Sequence, residues 1–238
     1  MNPTGFVNGF SGAAGAFLFS CLKMKRTFFI TGTDTGVGKT VLTARLVQFL
    51  RARGVNAAAL KPICSGGRDD ARNLFAAMNG TLPLDEINPW CFRAPIAPSL
   101  AARREKKSVK LPQVLAQVRA MQENFDVLLV EGAGGLLSPL GENFNSRDLI
   151  QKLRATPIIV AQNKLGVVNQ ILLTLEALPK KLRAKTCVIL MSPAKSDAAT
   201  NSNAKLLSEF FPAERIFTLP RLGRNSDAEK ILRALAEI

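Results

Sequence analysis

A chain of 238 residues, 47% of them hydrophobic, is long enough for one α/β domain or two small ones with a well-buried core. It has no histidine and no tyrosine, which excludes Ser-His-Asp and Cys-His hydrolysis and any histidine-ligated metal; its chemistry must run on Lys, Asp, Glu, Thr, Ser and backbone groups. The net charge of +14 invites a nucleic-acid reading, but the basic residues are scattered, with short clusters only at Arg103-Arg104, Lys106-Lys107 and Lys180-Lys181 and few aromatics between them. A basic surface that attracts anionic substrates accounts for the charge, and no nucleic-acid partner is expected. No apolar run reaches the roughly 18 residues of a spanning helix, so no membrane partner is expected either. The four cysteines, Cys21, Cys64, Cys91 and Cys187, are far apart and form no Cys-x-x-Cys pair. That pattern suits a reducing cytoplasm better than a disulfide framework or a zinc site.

In chain order, Met1 to Leu22 is uncharged, rich in Gly, Ala, Phe and Ser, and followed by Lys23-Met24-Lys25-Arg26. A signal peptide carries its positive charges before its apolar run, not after it. Residues 1–23 are therefore expected to be a disordered extension or a mis-called start, and 24–238 one domain. From Arg26 onward, β-type apolar runs at 27–31, 57–61, 126–131, 157–161, 186–191 and 215–219 alternate with helical patterns at 39–53, 69–78, 111–124, 146–154, 167–178, 198–210 and 226–236. Such alternation predicts an α/β fold, a mostly parallel sheet flanked by helices. Ser146, with Asp148 in the first turn, reads as a helix cap. The proline-rich stretch 80–110 reads as a long loop with one short helix.

Between the first strand and the first helix runs Gly32-Thr33-Asp34-Thr35-Gly36-Val37-Gly38-Lys39-Thr40. Strand, glycine loop, Lys-Thr and helix is the layout of a phosphate-binding loop. Its backbone N–H groups surround phosphates, its lysine reaches the outer ones, and its hydroxyl ligates Mg²⁺. One detail departs from the usual Gly-x-x-x-x-Gly-Lys-Thr spacing: Thr33 stands where glycine would, and Gly32 comes one residue early.

Ligands of such sheets bind at the carboxyl ends of the strands. The second expected strand ends in Lys61-Pro62 and continues through Cys64-Ser65-Gly66-Gly67; the third ends in Glu131-Gly132-Ala133-Gly134-Gly135; the fourth leads into Asn163-Lys164-Leu165-Gly166. Glu131 closes an apolar strand, where an unpaired acid is costly, and next to Thr40 it is placed to hold Mg²⁺ directly or through water. Lys61 leaves a buried strand beside a phosphate site and calls for an anion. Asp69 and Asp70 open a helical pattern and serve either as first-turn acids or as ligands.

Taken together, these residues resemble the dethiobiotin synthetase family of P-loop enzymes. The resemblance runs through Thr31 to Thr40, Lys61-Pro62 with Ser65-Gly66, Asn88-Pro89, Ala97-Pro98, Val130 to Gly135, Ser138-Pro139-Leu140, and Lys164-Leu165-Gly166 with Asn169, in order over nearly all of 26–225. The early Gly32 matches the family's own spacing. The resemblance implies a P-loop NTPase fold and an ATP-dependent ring closure in the cytoplasm. There 7,8-diaminopelargonic acid takes up CO₂ as a carbamate, the carbamate is phosphorylated, and the second amine displaces phosphate to close the cyclic urea. It implies Mg²⁺ held by Thr40, Asp70 and Glu131, Asp70 being preferred over Asp69 because Ala71 follows it. Catalytic roles fall to Lys39, Lys61 and Thr35. ATP contacts fall to Gly36, Val37, Gly38, Lys39, Thr40, Val41, Asp70, Glu131, Gly132, Ala133 and Gly134, and to Pro220, Arg221 and Leu222. Ser65 and Gly135 would lie near the diamine, and Asn169 near its distal carboxylate across a homodimer interface.

Three departures stand out. Met191-Ser192 replaces the family's adenine-contacting Asn-Asp, Pro220-Arg221 replaces a Pro-aromatic step, and Ser99 replaces a frequent His. The competing readings are a partitioning or switch-type P-loop ATPase and an inactive paralogue; a cobyrinate amidase-like ligase would need a glutaminase domain that the chain has no room for.

Overall fold

The computed structural model describes residues 25–219, together with 229–231 and 234. In chain order the elements are β1 (Arg26–Gly32), α1 (Lys39–Ala52), β2 (Ala57–Leu60), β3 (Ile63–Ser65), α2 (Asp69–Ala77), α3 (Leu84–Ile87), β4 (Trp90–Phe92), α4 (Pro98–Arg104) and α5 (Leu111–Asn124). They continue with β5 (Val127–Glu131), β6 (Pro139–Gly141), β7 (Phe144–Asn145), α6 (Ser146–Leu153), β8 (Thr156–Gln162), α7 (Val167–Glu176), α8 (Lys180–Arg183), β9 (Cys187–Met191), α9 (Ala198–Leu207) and β10 (Ile216–Leu219).

The main sheet has six strands in the order β10-β9-β8-β1-β5-β2, and every pairing in it is parallel. Parallel sheets need cover on both faces, and the sequence provides for it: β2, β5 and β9 are buried at every position. Phe28, Phe29 and Ile30 of β1 sit at the centre of the core beside Leu128 and Val130 of β5. In register, Ile30 lies opposite Glu131 and Gly32 opposite Val160. The phosphate-type loop and the acid of β5 therefore emerge side by side at the same edge.

All six expected strands are present. Of the expected helices, the last, 226–236, falls on a stretch of which only 229–231 and 234 are described, and these are helical. The expected loop at 80–110 is a correction. It contains two short helices, α3 and α4, and the strand β4, which pairs with β3 in a small parallel sheet. Three-residue strands are too short to show a period of two, and α4 begins at Pro98, whose fixed φ suits a helix's first turn. The strands β3, β6 and β7 and the helix α8 escape sequence reading for the same reason of length.

A second correction concerns α6. Its cap is Asn145, whose side chain accepts from Asp148 N while Asp148 accepts from Asn145 N, a reciprocal box. Ser146 is already helical, and its buried hydroxyl has no hydrogen-bond partner among the described residues. Asn145→Ala is expected to lower stability by about 1 kcal/mol, whereas Ser146→Ala should cost far less. Urea unfolding of the two variants checks this, and the reverse ranking would restore Ser146 as the cap.

Candidate active site

The loop after β1 turns into α1 through Gly38, which caps the helix at φ 101°. That left-handed conformation favours glycine, and a Cβ there would press to within 3.1 Å of the Met191 side chain. Gly32 is needed for space. A Cβ at Gly32 would sit 2.8 Å from Val37 Cγ2, 3.0 Å from Asp34 O and 3.2 Å from Lys39 Nζ. Thr33, by contrast, is absent from the positive-φ positions. The early glycine thus leaves room for the loop's own Val37 and Asp34 carbonyl, and position 33 has no need of a glycine. Lys39 is 6% exposed, and its ammonium donates to Asp34 O at 2.8 Å. Burial, and after it the neighbouring Lys61 ammonium, push Lys39 down to about 8.

Glu131 ends β5 with its side chain fully buried. Its Oε1 accepts from Thr40 Oγ1 at 2.7 Å and from Lys61 Nζ at 2.6 Å. Lys61 follows directly on β2 and donates also to Asp70 Oδ2 at 2.7 Å and to Gly132 O at 3.3 Å. Burial alone would lower the Lys61 ammonium, but Glu131 and then Asp70 outweigh it and hold it above its ordinary value. Asp70, in the first turn of α2, feels burial in the opposite sense, yet Lys61, Thr40 and Lys39 bring its carboxyl below the usual range. Asp69 points elsewhere, forming an exposed pair with Arg72.

One atom of this cluster is left over. Glu131 Oε2 is buried without a hydrogen-bond partner. An orphaned carboxylate oxygen beside the Thr40 hydroxyl and Asp70 is a set of hard oxygen donors, which fits Mg²⁺. Among the described residues no three carboxylates, cysteines or histidines converge on a metal site. Two carboxylates and a hydroxyl match the Mg²⁺ sites that rely on substrate phosphates for their remaining ligands.

A cavity of about 710 Å³ opens over the cluster. It is lined by Thr35, Gly36, Gly38, Lys39, Thr40, Val41, Lys61, Ser65, Asp70, Glu131, Ala133 and Gly134, which brings together most of the residues singled out in the sequence. Val37 is buried in the core, and Gly132 contributes the carbonyl that accepts from Lys61. Gly135 opens instead onto an adjoining depression of about 420 Å³ beside Leu173 and Thr174 of α7, and Asn169 is exposed on that helix. Pro220, Arg221 and Leu222 lie outside the described residues. Sequence reading gave no role to Asn73, Ile96 or Cys64, which also line the cavity. Asn73 lies three residues after Asp70, one helical turn along the same face, and that spacing was its signal. Ile96 belongs to the proline-rich stretch, where Ser65 Oγ donates to its carbonyl at 2.6 Å.

A family model described as an AAA domain matches residues 26–228. The chain is 42% identical over 176 residues to the ATP-dependent dethiobiotin synthetase of Anaeromyxobacter sp. (strain Fw109-5), covering 72% of this chain and 79% of that protein. It is 38% identical over 191 residues to the protein of the same name from Akkermansia muciniphila, covering 79% of this chain and 89% of the relative. The chain belongs to the dethiobiotin synthetase family.

Solved structures bear on the fold alone. The hydrogenase maturation factor HypB of Archaeoglobus fulgidus superposes with a TM-score of 0.52 at 15% identity, over 94% of this chain and 93% of that one. The MinC:MinD cell division complex of Aquifex aeolicus gives 0.53 at 16%, over 88% and 86%. The fold of this dethiobiotin synthetase family member is that of a P-loop NTPase.

The buried ion pair makes a stability prediction. Lys61→Ala leaves the Glu131 carboxylate desolvated without its cation, which is expected to cost about 3–5 kcal/mol. Adding Glu131→Gln removes the orphaned charge and should restore much of that loss. Urea unfolding of the single and double variants measures the coupling; strictly additive losses would refute a strongly coupled pair.

Proposed function

We propose that this protein is an ATP-dependent dethiobiotin synthetase, a carbon–nitrogen cyclo-ligase of biotin biosynthesis acting in the cytoplasm. One amine of 7,8-diaminopelargonic acid takes up CO₂ as a carbamate. A carbamate oxygen attacks the γ-phosphorus of ATP and releases ADP. The second amine then attacks the carbonyl carbon and expels phosphate, closing the cyclic urea of dethiobiotin. The observation that carries this reading is the Lys39, Thr40, Lys61, Asp70 and Glu131 cluster beneath one cavity, joined to family membership.

The chemistry brings two anions together, so positioned cations matter more than a proton-transferring base. Lys39, freed from Asp34 O by an arriving phosphate, holds the outer phosphates. The amides of the loop and of the start of α1, from Gly36 to Val41, surround them. Lys61, held by two carboxylates, keeps its charge in a buried setting and faces the carbamate and the transferring group together with Thr35. Mg²⁺, when bound by Thr40, Asp70 and Glu131, would neutralise charge on the phosphates. Ala133 and Gly134 complete the nucleotide wall, with Pro220, Arg221 and Leu222 assigned to the base side, and Ser65 and Gly135 lie on the diamine side.

We further propose a homodimer in which Asn169 meets the substrate carboxylate of the partner's site. The exposed Leu137, Leu165 and Leu173, at 50%, 83% and 63%, give that side of the molecule an apolar surface suited to a second copy.

Incubation with diaminopelargonic acid, bicarbonate, Mg²⁺ and each nucleoside triphosphate in turn should yield dethiobiotin by mass spectrometry, and chelating the Mg²⁺ should abolish it. No product with any nucleotide would leave a partitioning or switch-type ATPase, or an inactive paralogue, as the better reading. Lys61→Ala should retain ATP binding by calorimetry while turnover falls roughly hundred- to thousand-fold; near-normal turnover would remove Lys61 from the mechanism.

A further inference from the structure

The small sheet that flanks the cavity carries a pair of thiols outside the phosphate cluster. In the register of β3 and β4, Cys64 lies directly opposite Cys91. Paired residues of adjacent strands project to the same face with backbones about 4.8 Å apart. That spacing falls within the roughly 4.4–6.8 Å that a disulfide requires between Cα atoms. Both cysteines are free thiols. Their environments differ. Cys64 is buried and lines the cavity, and burial pushes its thiol up to about 12. Cys91 is half-buried, the more open of the two to a small disulfide from solvent.

We propose that Cys64 and Cys91 form a reversible redox switch, in which a low-molecular disulfide such as oxidised glutathione links them and halts turnover in the adjoining cavity. Cys91 thiolate attacks one sulfur of the small disulfide, forming a mixed disulfide and releasing one small thiolate. Cys64 then attacks the Cys91 sulfur, its proton passing to the second departing thiolate. Two protein thiols are oxidised, and one small disulfide is reduced to two thiols.

The coupling to the site runs through hydrogen bonds that the link would remove. The single S–H hydrogen of Cys64 is shared between Asn88 Oδ1 and Gly67 O, each 3.1 Å from Sγ. Asn88 is fully buried, and its Nδ2 donates to Lys61 O at 2.6 Å. Gly67 lies in the turn that leads from Ser65 to Asp70. Withdrawing the thiol hydrogen leaves the buried Asn88 Oδ1 without its donor and releases the exposed Gly67 carbonyl to water, which disturbs the residue that holds the Lys61 carbonyl and the turn before Asp70 together.

The test treats the full chain with glutathione disulfide, blocks remaining thiols, maps peptides without reduction, and measures dethiobiotin formation in parallel. The expected result is a Cys64–Cys91 linked peptide, turnover lower by about tenfold or more, and recovery with dithiothreitol. Cys91→Ser should show ordinary turnover when reduced, form no link, and keep its turnover in the oxidant. Absence of the link, a link with unchanged turnover, or equal inhibition of Cys91→Ser would each overturn the proposal. A reduced protein without turnover overturns the activity proposed above and not the link, which the peptide map judges on its own.

Discussion

The arrangement depends on a carboxylate placed where carboxylates are expensive. Glu131 ends a strand buried at every position, and its side chain has no exposure. Desolvating one such ion costs several kcal/mol, which a single partner repays only with good geometry. Lys61 and Thr40 supply that geometry on one oxygen, while Asp70 and the Gly132 carbonyl satisfy Lys61's remaining donors. A well-packed apolar pair of similar volume would serve stability at least as well. What the ionic arrangement adds is an unpartnered oxygen and an ammonium held charged by two acids in the wall of a cavity. The cost makes sense as preparation for a ligand.

The same cluster explains how two lysines coexist. Lys39 and Lys61 are close enough for the second to lower the first, and the two acids bring the local charge of the four groups back to zero. A neutral set of this kind folds without an anion. On the proposed function, a triphosphate would relieve the repulsion between the ammoniums and take Lys39 from the loop carbonyl that holds it. The parallel sheet makes this possible, because β1 and β5 are neighbours in register and β2 adds Lys61 from the far side of β5. Three chain segments far apart in sequence thus deliver a hydroxyl, an acid and an ammonium to within hydrogen-bonding distance.

Much of this was legible from sequence because it follows from strong local signals. The six strands of the main sheet announced themselves as apolar runs, and the glycine loop with Lys39-Thr40 marked the edge at which the site lies. The reason for Gly32 was not legible, since the contacts it makes room for, Val37 Cγ2 and the Asp34 carbonyl, appear only when the loop closes on itself. The pairing of Lys61 was half legible. An anion was called for, but the two carboxylates that satisfy it reach it from positions 70 and 131. Asn145 was passed over as a cap for Ser146 because both are capping residues, and the choice between them rests on where the preceding two-residue strand stops. The stretch 80–110 misled for a simple reason: prolines mark boundaries, and short elements between boundaries look like loop.

That stretch also divides the site into two mechanical halves. On one side, Lys39, Thr40 and Glu131 are anchored to central strands and to the first turn of α1, where displacement would disrupt the core. On the other, Ser65 and the carbonyl of Ile96 belong to the small β3–β4 sheet and the loop after it, flanked by Gly66 N to Phe92 O at 3.0 Å and Trp90 N to Pro62 O at 3.1 Å, while Asp70 stands on α2, whose Ala71, Leu74 and Ala77 are buried in the core. Lys61 stands at the junction. Its ammonium is tied to Glu131 and to Asp70, and its carbonyl to Asn88, between the two short elements α3 and β4. The β3–β4 side and the phosphate side are therefore joined at both ends of one residue.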